Sequence, residues 1–395
     1  MQFSDVIGQE AIKRQLISDT RSGRVPHALM LAGKEGCGAL QLALAFAQYL
    51  LCTGKQPKEE GADMFAAPSA APATMADHAC GHCNSCRMAE ILQHPDLHFI
   101  FPIYKKYKAP KITLCDDFLP EFRNWLLKHP YEGFAEWRKA CGAENQQLMI
   151  YESESSNIIR KLSFKANQDG YKVCIIWLPE KMNNECANKL LKLLEEPPAM
   201  TTFILVSERP DLILQTVRSR TQTIELPVLP AETIEQALIE RYSILPAEAK
   251  RIAHNANGNM TAAIRNIGHD EDSQFFFELF VSLMRLSYMR KVREMKLWSE
   301  KVAELGRETQ KQFLDYCQHM VRENFIYNFH QPDINYMNEQ EAGFAVRFAP
   351  FINERNVIGI MEQLQLAQRD IEQNANAKIL FFDLALKMIV LIKNR

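Results

Sequence analysis

Residues 33–40 read Gly33-Lys34-Glu35-Gly36-Cys37-Gly38-Ala39-Leu40, the glycine frame of a phosphate-binding loop with two chemically decisive replacements. In the pattern G-x-x-x-x-G-K-[ST], glycines let backbone N–H groups converge on phosphates, the lysine neutralises the outer phosphates, and the hydroxyl residue holds magnesium. Ala39 and Leu40 stand where the lysine and the hydroxyl belong, so the cradle survives without its charge or its metal ligand. Taken alone, eight residues read equally well as a chance glycine cluster, and the flanks decide between the two. Upstream, Ala28-Leu29-Met30-Leu31-Ala32 is a short apolar run of the kind a buried parallel strand shows. Downstream, Ala39 to Leu51 is apolar on most faces and reads as a helix. Strand, loop and helix are therefore in the order a P-loop requires, with Gly33, Gly36 and Gly38 as cradle residues expected to hold no ATP.

The chain has 395 residues, of which 47% are hydrophobic, enough for two or three domains with real cores. A net charge of -2 argues against a surface that traps nucleic acid everywhere, although it leaves room for a local basic face. The N-terminus Met1-Gln2-Phe3-Ser4-Asp5 has no basic segment leading into an apolar one, and no run reaches the roughly 18 apolar residues of a membrane span. A cytoplasmic protein with no membrane partner is expected. Ten cysteines then read as buried apolar residues or metal ligands rather than disulfides.

Three of them form Cys80-Gly81-His82-Cys83-Asn84-Ser85-Cys86, two successive C-x-x-C steps. Two intervening residues let a tight turn aim both sulfurs at one tetrahedral ion, which is the signature of a structural zinc site. Cys52, at the end of the helix after the loop, is the preferred fourth ligand, with His82 and His78 as competitors. A redox C-x-x-C is the rival reading; a third cysteine at the same spacing argues against it. Cys37, Cys115, Cys141, Cys174, Cys186 and Cys317 are scattered singly and read as packing residues, although Cys37, inside the loop, could be a reactive thiol.

Between Cys52 and Cys80, residues 54–79 are rich in Ala, Pro and Gly, with Ala66 to Ala73 at the centre, and read as a tether between the two ends of one knuckle. Residues 104–147 form a second irregular region, with Lys105-Lys106-Tyr107-Lys108 and the aromatics Trp125, Tyr131, Phe134 and Trp137. Basic and aromatic residues together can bind single-stranded nucleic acid. The favoured reading is an inserted helical hairpin with its own small core and a solvated lysine face.

A P-loop ATPase carries a second motif, a buried strand ending in an aspartate that supports magnesium and a glutamate that activates water. Here Tyr171-Lys172-Val173-Cys174-Ile175-Ile176 reads as that strand but continues Trp177-Leu178-Pro179-Glu180. Both acidic positions are apolar, and Glu180 is displaced by two residues behind a proline. Losing the lysine and both acids together indicates a domain that does not hydrolyse nucleotide.

Further on, Asn188 to Pro198 is a leucine-faced helix stopped by Pro197-Pro198, Phe203 to Ser207 is another buried strand, and Thr216-Val217-Arg218-Ser219-Arg220-Thr221 follows. The order Val6-Ile7-Gly8-Gln9, Pro26-His27-Ala28, the loop frame, the cysteine cluster, His94-Pro95-Asp96, Leu190 to Pro198 and Arg218-Ser219-Arg220 closely resembles bacterial replicative clamp-loader ATPases of the AAA+ class, over most of residues 1–226. Within that family the broken lysine and acidic positions resemble the delta-prime branch rather than the ATP-hydrolysing gamma/tau branch. The resemblance implies that Arg220, matching a Ser-Arg-Cys motif with Thr221 in place of cysteine, acts in trans on ATP held by a neighbouring gamma/tau subunit. A guanidinium can stabilise charge spreading over a transferring phosphoryl group; the alternative is an ordinary ion pair. Gly258-Asn259-Met260-Thr261 resembles the later sensor region, with Thr261 where active relatives place an arginine.

The expected architecture is an α/β AAA+ P-loop-like domain over 1–226, with a zinc module at about 52–86 and the insertion at about 104–147. A helical lid over 227–269 and an all-α collar over 270–395 follow. The resemblance implies a non-hydrolysing subunit of the DNA polymerase III holoenzyme, partnered by gamma/tau and delta subunits, the sliding clamp and primed DNA. Two rival readings are an active gamma/tau-like ATPase with unusual motifs and a zinc-dependent DNA-binding adaptor. The apolar stretch Ile379 to Leu386 reads equally as collar interface or private helical core.

Overall fold

The computed structural model describes residues 1–55, 78–106, 112–143, 146–163, 170–267, 270–330, 335–373 and 375–393. The Ala66 to Ala73 tether and the Tyr107-Lys108 half of the lysine run lie outside the described residues. The described chain divides into two compact units, Met1–Arg265 and Asn266–Arg395.

The first unit is built on five parallel strands: β1 (Ala28–Ala32), β2 (Leu97–Ile100), β3 (Lys172–Trp177), β4 (Thr201–Ser207) and β5 (Gln222–Glu225), in the order β2-β3-β4-β1-β5. β1, β3 and β4 are buried along their whole length, which is why they read as continuous apolar runs rather than alternating ones. The strand read as Tyr171 to Ile176 is thus shifted by one residue, and Trp177 closes it instead of an acid. The next residue, Leu178, takes a left-handed conformation with φ of 55°.

Helices flank this sheet. They are α1 (Glu10–Arg21), α2 (Ala39–Leu51), α3 (Asn84–Glu90), α4 (Leu119–Lys128), α5 (Phe134–Ala140), α6 (Glu152–Ser163), α7 (Asn184–Glu195) and the short α8 (Gln215–Arg218). α2 starts directly after Gly38, whose φ of 89° only glycine adopts freely, and every one of its residues is buried. α7 is capped by the Asn183 side chain, which accepts from the Cys186 amide at 2.9 Å. It ends before Pro197-Pro198, which cannot continue a helix. Three further helices, α9 (Ala231–Tyr242), α10 (Pro246–Asn255) and α11 (Met260–Arg265), complete the unit. The architecture is a parallel five-stranded α/β domain carrying a four-cysteine cluster, followed by an all-helical region.

The insertion departs from expectation. Its aromatics do not form a private core but join the core of the sheet. Phe122 of α4 stacks on Phe101 with ring centroids 3.9 Å apart, Trp137 of α5 meets both edge-on, and Trp125 packs 5.4 Å from Trp177 at the end of β3. Trp125, Tyr131 and Trp137 are buried, which removes them as base-stacking platforms. Lys105 and Lys106 lay their ammonium groups over the Tyr151 and Phe118 rings, 5.1 and 5.3 Å from the centroids.

The second unit contains α12 (Asp270–Met289), α13 (Val292–Ala303), α14 (Arg307–Tyr327), α15 (Glu339–Phe348), α16 (Val357–Glu372) and α17 (Ala377–Leu391). Its core gathers Phe280, Trp298, Phe313, Leu364, Phe381 and Met388 from five of these helices. α17 is apolar nearly all round: Phe381, Leu384, Ala385 and Met388 face this core while Ile379 and Val390 are 70% and 65% exposed. Among the described residues no helix is long and apolar enough to cross a membrane.

Candidate functional site

The loop joins β1 to α2, as its flanks predict, and is shaped by its glycines. Gly33 lies where an added Cβ would stand 2.5 Å from the Cys37 sulfur, and Gly36, with φ of 74°, where one would stand 1.9 Å from the Asn259 side-chain oxygen. At Gly36 the positive φ and the Met260 backbone nitrogen, 2.7 Å from that Cβ position, require glycine. The Gly36 neighbour is informative, because Asn259 directly precedes α11. The Met260 amide donates to the Gly36 carbonyl at 3.1 Å, so the N-terminal end of α11 rests on the loop itself. The Gln9 side-chain amide donates to the carbonyls of Cys37 and Pro227 at 2.9 and 2.8 Å, tying the loop to the segment that leads into α9.

Three carboxylates, Glu35, Glu180 and Glu208, gather around the loop. The Glu35 carboxylate, inside the loop, pairs at 3.0 Å with the guanidinium of Arg265 on α11, and Arg265 also grips Glu136 of α5 through two bonds of 2.6 and 2.8 Å. Burial works against the Arg265 charge, but the bonds from Glu136 and the field of Glu35 outweigh it and raise its pKa. Glu208, just beyond β4, has its carboxyl pushed up to about 8 by burial and by the neighbouring Glu35 and Glu180. Glu180 accepts from the Ser207 hydroxyl at 2.9 Å and from the Glu208 and Arg209 amides at 3.0 and 3.2 Å, capping the end of β4. Burial pushes the Cys37 thiol up to about 11, which makes it a packing residue rather than a reactive one. Thr261 spends its hydroxyl on the Tyr131 carbonyl at 2.6 Å.

Four cysteines spread over 35 residues, from Cys52 to Cys86, come together. Cys52 is the C-cap of α2, Cys80 lies in the segment that leads into α3, Cys83 is the N-cap of α3 and Cys86 lies in its first turn. Their sulfurs all lie within 4.8 Å of one another. A tetrahedral ion with metal–sulfur bonds of about 2.3 Å places its sulfurs about 3.8 Å apart; Cys80 and Cys86 are at 3.9 Å. Backbone amides of Cys80, Cys83 and Cys86 point at the sulfurs of Cys52, Cys80 and Cys83 at 3.3 to 3.4 Å, the pattern that favours thiolates. A hydrogen bond from the Cys86 thiol to the Cys52 sulfur favours the Cys52 thiolate, while the same contact pushes Cys86 upward. Gly54 completes the packing: a Cβ there would lie 2.6 Å from the Cys80 sulfur. His82 turns its Nδ1 to the Cys80 carbonyl at 2.7 Å and stays exposed, and neither it nor His78 belongs to the group of converging ligand atoms. A support that spacing did not disclose is His94, whose Nε2 bonds the Ser85 hydroxyl at 2.9 Å while Ser85 donates to the Leu51 carbonyl, locking α3 onto the end of α2.

Arg220 follows α8 with its side chain one-third exposed at 33%. The Glu195 carboxylate at the end of α7 holds its guanidinium, which also donates to the Thr216 carbonyl at 2.8 Å and the Ser219 hydroxyl at 3.4 Å. The carboxylate therefore comes from the same chain, from the glutamate two residues before Pro197-Pro198.

A family model described as DNA polymerase III, delta subunit, matches residues 8–230, more than half of the chain. The chain is 27% identical over 263 residues to the delta-prime subunit of DNA polymerase III from Bacillus subtilis, covering 67% of this chain and 60% of that protein. It is 29% identical over 209 residues to the delta-prime subunit of Yersinia pestis, covering 52% of this chain and 43% of that protein. The chain belongs to the DNA polymerase III delta-prime family. The matches span about half the length of these curated relatives. Among solved structures, a gamma-subunit-related DNA polymerase III protein of Thermotoga maritima aligns over 97% of this chain and 99% of that one, at 12% identity and a TM-score of 0.35, too low to bear on the arrangement of parts. In this delta-prime family member the family match covers the loop, the four cysteines, the insertion and Arg220. It stops before α9 and before Arg265.

Proposed function

We propose that this chain is a non-hydrolysing delta-prime-type subunit of a replicative clamp loader. It completes a ring with gamma/tau and delta subunits and presents Arg220 in trans to ATP on its neighbour, so that the sliding clamp is opened and loaded on primed DNA. The observation that carries the reading is the state of the loop: no lysine at position 39, a carboxylate at position 35, and a lid arginine already satisfied by that carboxylate. A triphosphate would enter among Glu35, Glu180 and Glu208 with no lysine at position 39 and no hydroxyl at position 40 to hold magnesium. What remains for such a subunit is geometry, supplied to others.

Arg220 suits the trans role because its fork is fixed by Glu195 and the Thr216 carbonyl while a third of the side chain stays exposed. In this reading residues 227–269 act as lid and 270–395 as collar, with exposed Ile379 and Val390 of α17 offering apolar surface to neighbouring subunits. The four cysteines would hold one zinc ion as a closed structural site, with all four positions taken by protein sulfur and none left for chemistry.

The deciding experiment is ATP turnover by the loader assembled from gamma/tau, delta and this chain, with clamp and primed DNA, comparing wild type with Arg220→Ala after equal assembly is established. A loss of turnover of several powers of ten supports the trans arginine. Equal turnover defeats it and reduces Arg220 to an interface residue.

A further inference from the structure

The turn between α4 and α5 has no part in the reading above, yet it touches every piece of the former nucleotide cleft. The Tyr131 hydroxyl accepts from the Ile7 amide of the N-terminal segment at 2.7 Å. The Pro130 carbonyl accepts from the Gln41 side chain in the first turn of α2. The Tyr131 carbonyl accepts from Thr261 of the lid helix at 2.6 Å, and Glu136 takes both bonds from Arg265 one turn further along. Gly133 passes so close to the loop that a Cβ there would lie 2.0 Å from the Glu35 carboxylate, and the Tyr131 ring lies 3.9 Å from where a Cβ on Gly38 would be. The turn is itself rigid: the Gly133 amide donates to Glu136 at 2.9 Å, and the Glu132 amide to the His129 carbonyl at 3.1 Å.

A helix N-terminus that receives phosphate must be open to solvent, so that its free N–H groups can point at the ligand. Here Ala39, Leu40 and Gln41 are 9%, 6% and 5% exposed and Tyr131 is 2% exposed. The entrance to α2 is walled by protein. A bound nucleotide also bridges loop to lid by contacting both. The Glu35–Arg265–Glu136 triad and the Tyr131 turn make that bridge with side chains alone.

We propose that the insertion is a built-in plug: residues 129–137 occupy the nucleotide cleft and hold lid helix α11 closed on the loop, so that the module is locked in one state without a ligand. The insertion, which lies between β2 and β3 along the chain, is thereby given a function distinct from nucleic-acid binding, and one that stands whether or not Arg220 serves a neighbour. Loss of the lysine removes affinity, whereas the plug removes the cleft.

The test is hydrogen exchange read by mass spectrometry on the full chain, for wild type, Tyr131→Ala and Glu136→Gln. Both variants are expected to speed exchange in residues 33–41 and 246–265 by about tenfold or more, as local opening becomes easier, while residues 276–327 keep their wild-type rates. Glu136→Gln preserves size and shape, so it decides the matter if Tyr131→Ala fails to fold. Unchanged exchange of loop and lid in the folded variants overturns the plug. Protection of residues 33–41 in wild type on adding Mg-ATP overturns it too, because the cleft would then be open.

Discussion

Arg265 on α11 reaches 3.0 Å from Glu35 in the loop between β1 and α2, so the carboxylate of the loop is paired within the chain. The repair of one residue should therefore not restore the lost function. Ala39→Lys returns the lysine of the loop motif, and adding Leu40→Thr returns the full pattern. It leaves Glu35, Glu180 and Glu208 around the site and Trp177 and Leu178 at the acid positions. Calorimetric titration with Mg-ATP is expected to give no saturable binding for either variant. A micromolar Kd for the double variant would show that the missing lysine and hydroxyl were the whole obstacle.

Glu208 yields a pH prediction whose sign follows from its raised pKa. Its carboxyl titrates near 8 in the folded chain against an ordinary value of 4.5, so between these values the folded state binds more protons than the unfolded one. Stability then falls as pH rises through that window, and the loss is complete above about 8. Glu208→Gln removes the titration and the repulsion from Glu35 and Glu180. Urea unfolding should find the variant equal to wild type, apart from a constant offset, near pH 4.5, and more stable by roughly 1–2 kcal/mol at pH 8.5, a value discounted for partial exposure. Glu154, pushed up to about 7 chiefly by burial, adds a slope common to both proteins. An identical difference at the two pH values would locate the strain elsewhere.

The parts legible in the sequence were those written locally. The glycine frame between an apolar run and an apolar helix announces β1, the loop and α2 within 25 residues, because the backbone geometry of the loop is set by the glycines themselves. The double C-x-x-C announces three converging sulfurs for the same reason, and Cys52 joins them because it ends the very helix on which α3 is docked through Ser85 and His94. The contacts that fill the cleft are of another kind. Ile7 and Tyr131 are 124 positions apart, and Glu35 and Arg265 are 230 apart, so no periodicity or motif connects them. The aromatics of the insertion looked like an exposed stacking platform or a private core because composition cannot say which face meets the sheet. One clue was present in the loop: a glutamate at position 35 is a poor companion for phosphates. Its partner could be found only in the folded chain.

The four cysteines predict the behaviour of a closed metal site. Purified protein is expected to carry about one zinc ion per chain, which Cys83→Ser should lose, since three sulfurs leave the tetrahedron incomplete and the N-cap of α3 weakened. Because ligands brought together by folding return their binding energy as stability, the variant should unfold with a loss on the order of several kcal/mol. Elemental analysis and thermal unfolding check the two halves separately. Full zinc content in Cys83→Ser would remove that residue from the ligand set.

Arg220→Lys distinguishes a positioned guanidinium from a mere positive charge. In the structure the arginine uses Nε on Glu195 and Nη1 on the Thr216 carbonyl, a division of labour that a single ammonium cannot reproduce. If the fork is what serves a neighbouring ATP, lysine should restore little. Turnover by the assembled loader is expected to fall roughly 10²–10⁴-fold for Arg220→Ala and by nearly as much for Arg220→Lys. The isolated chain should barely notice either change, because a partly exposed ion pair contributes about 0–1 kcal/mol, so unfolding curves of the three proteins should nearly coincide. Glu195→Gln supplies the control for positioning: it leaves the arginine in place and charged but weakens the hand that aims it, and turnover should drop by less than in Arg220→Ala. Full activity in Arg220→Lys would mean that charge alone is being supplied, and that the fixed geometry around Glu195 is a feature of folding rather than of catalysis in trans.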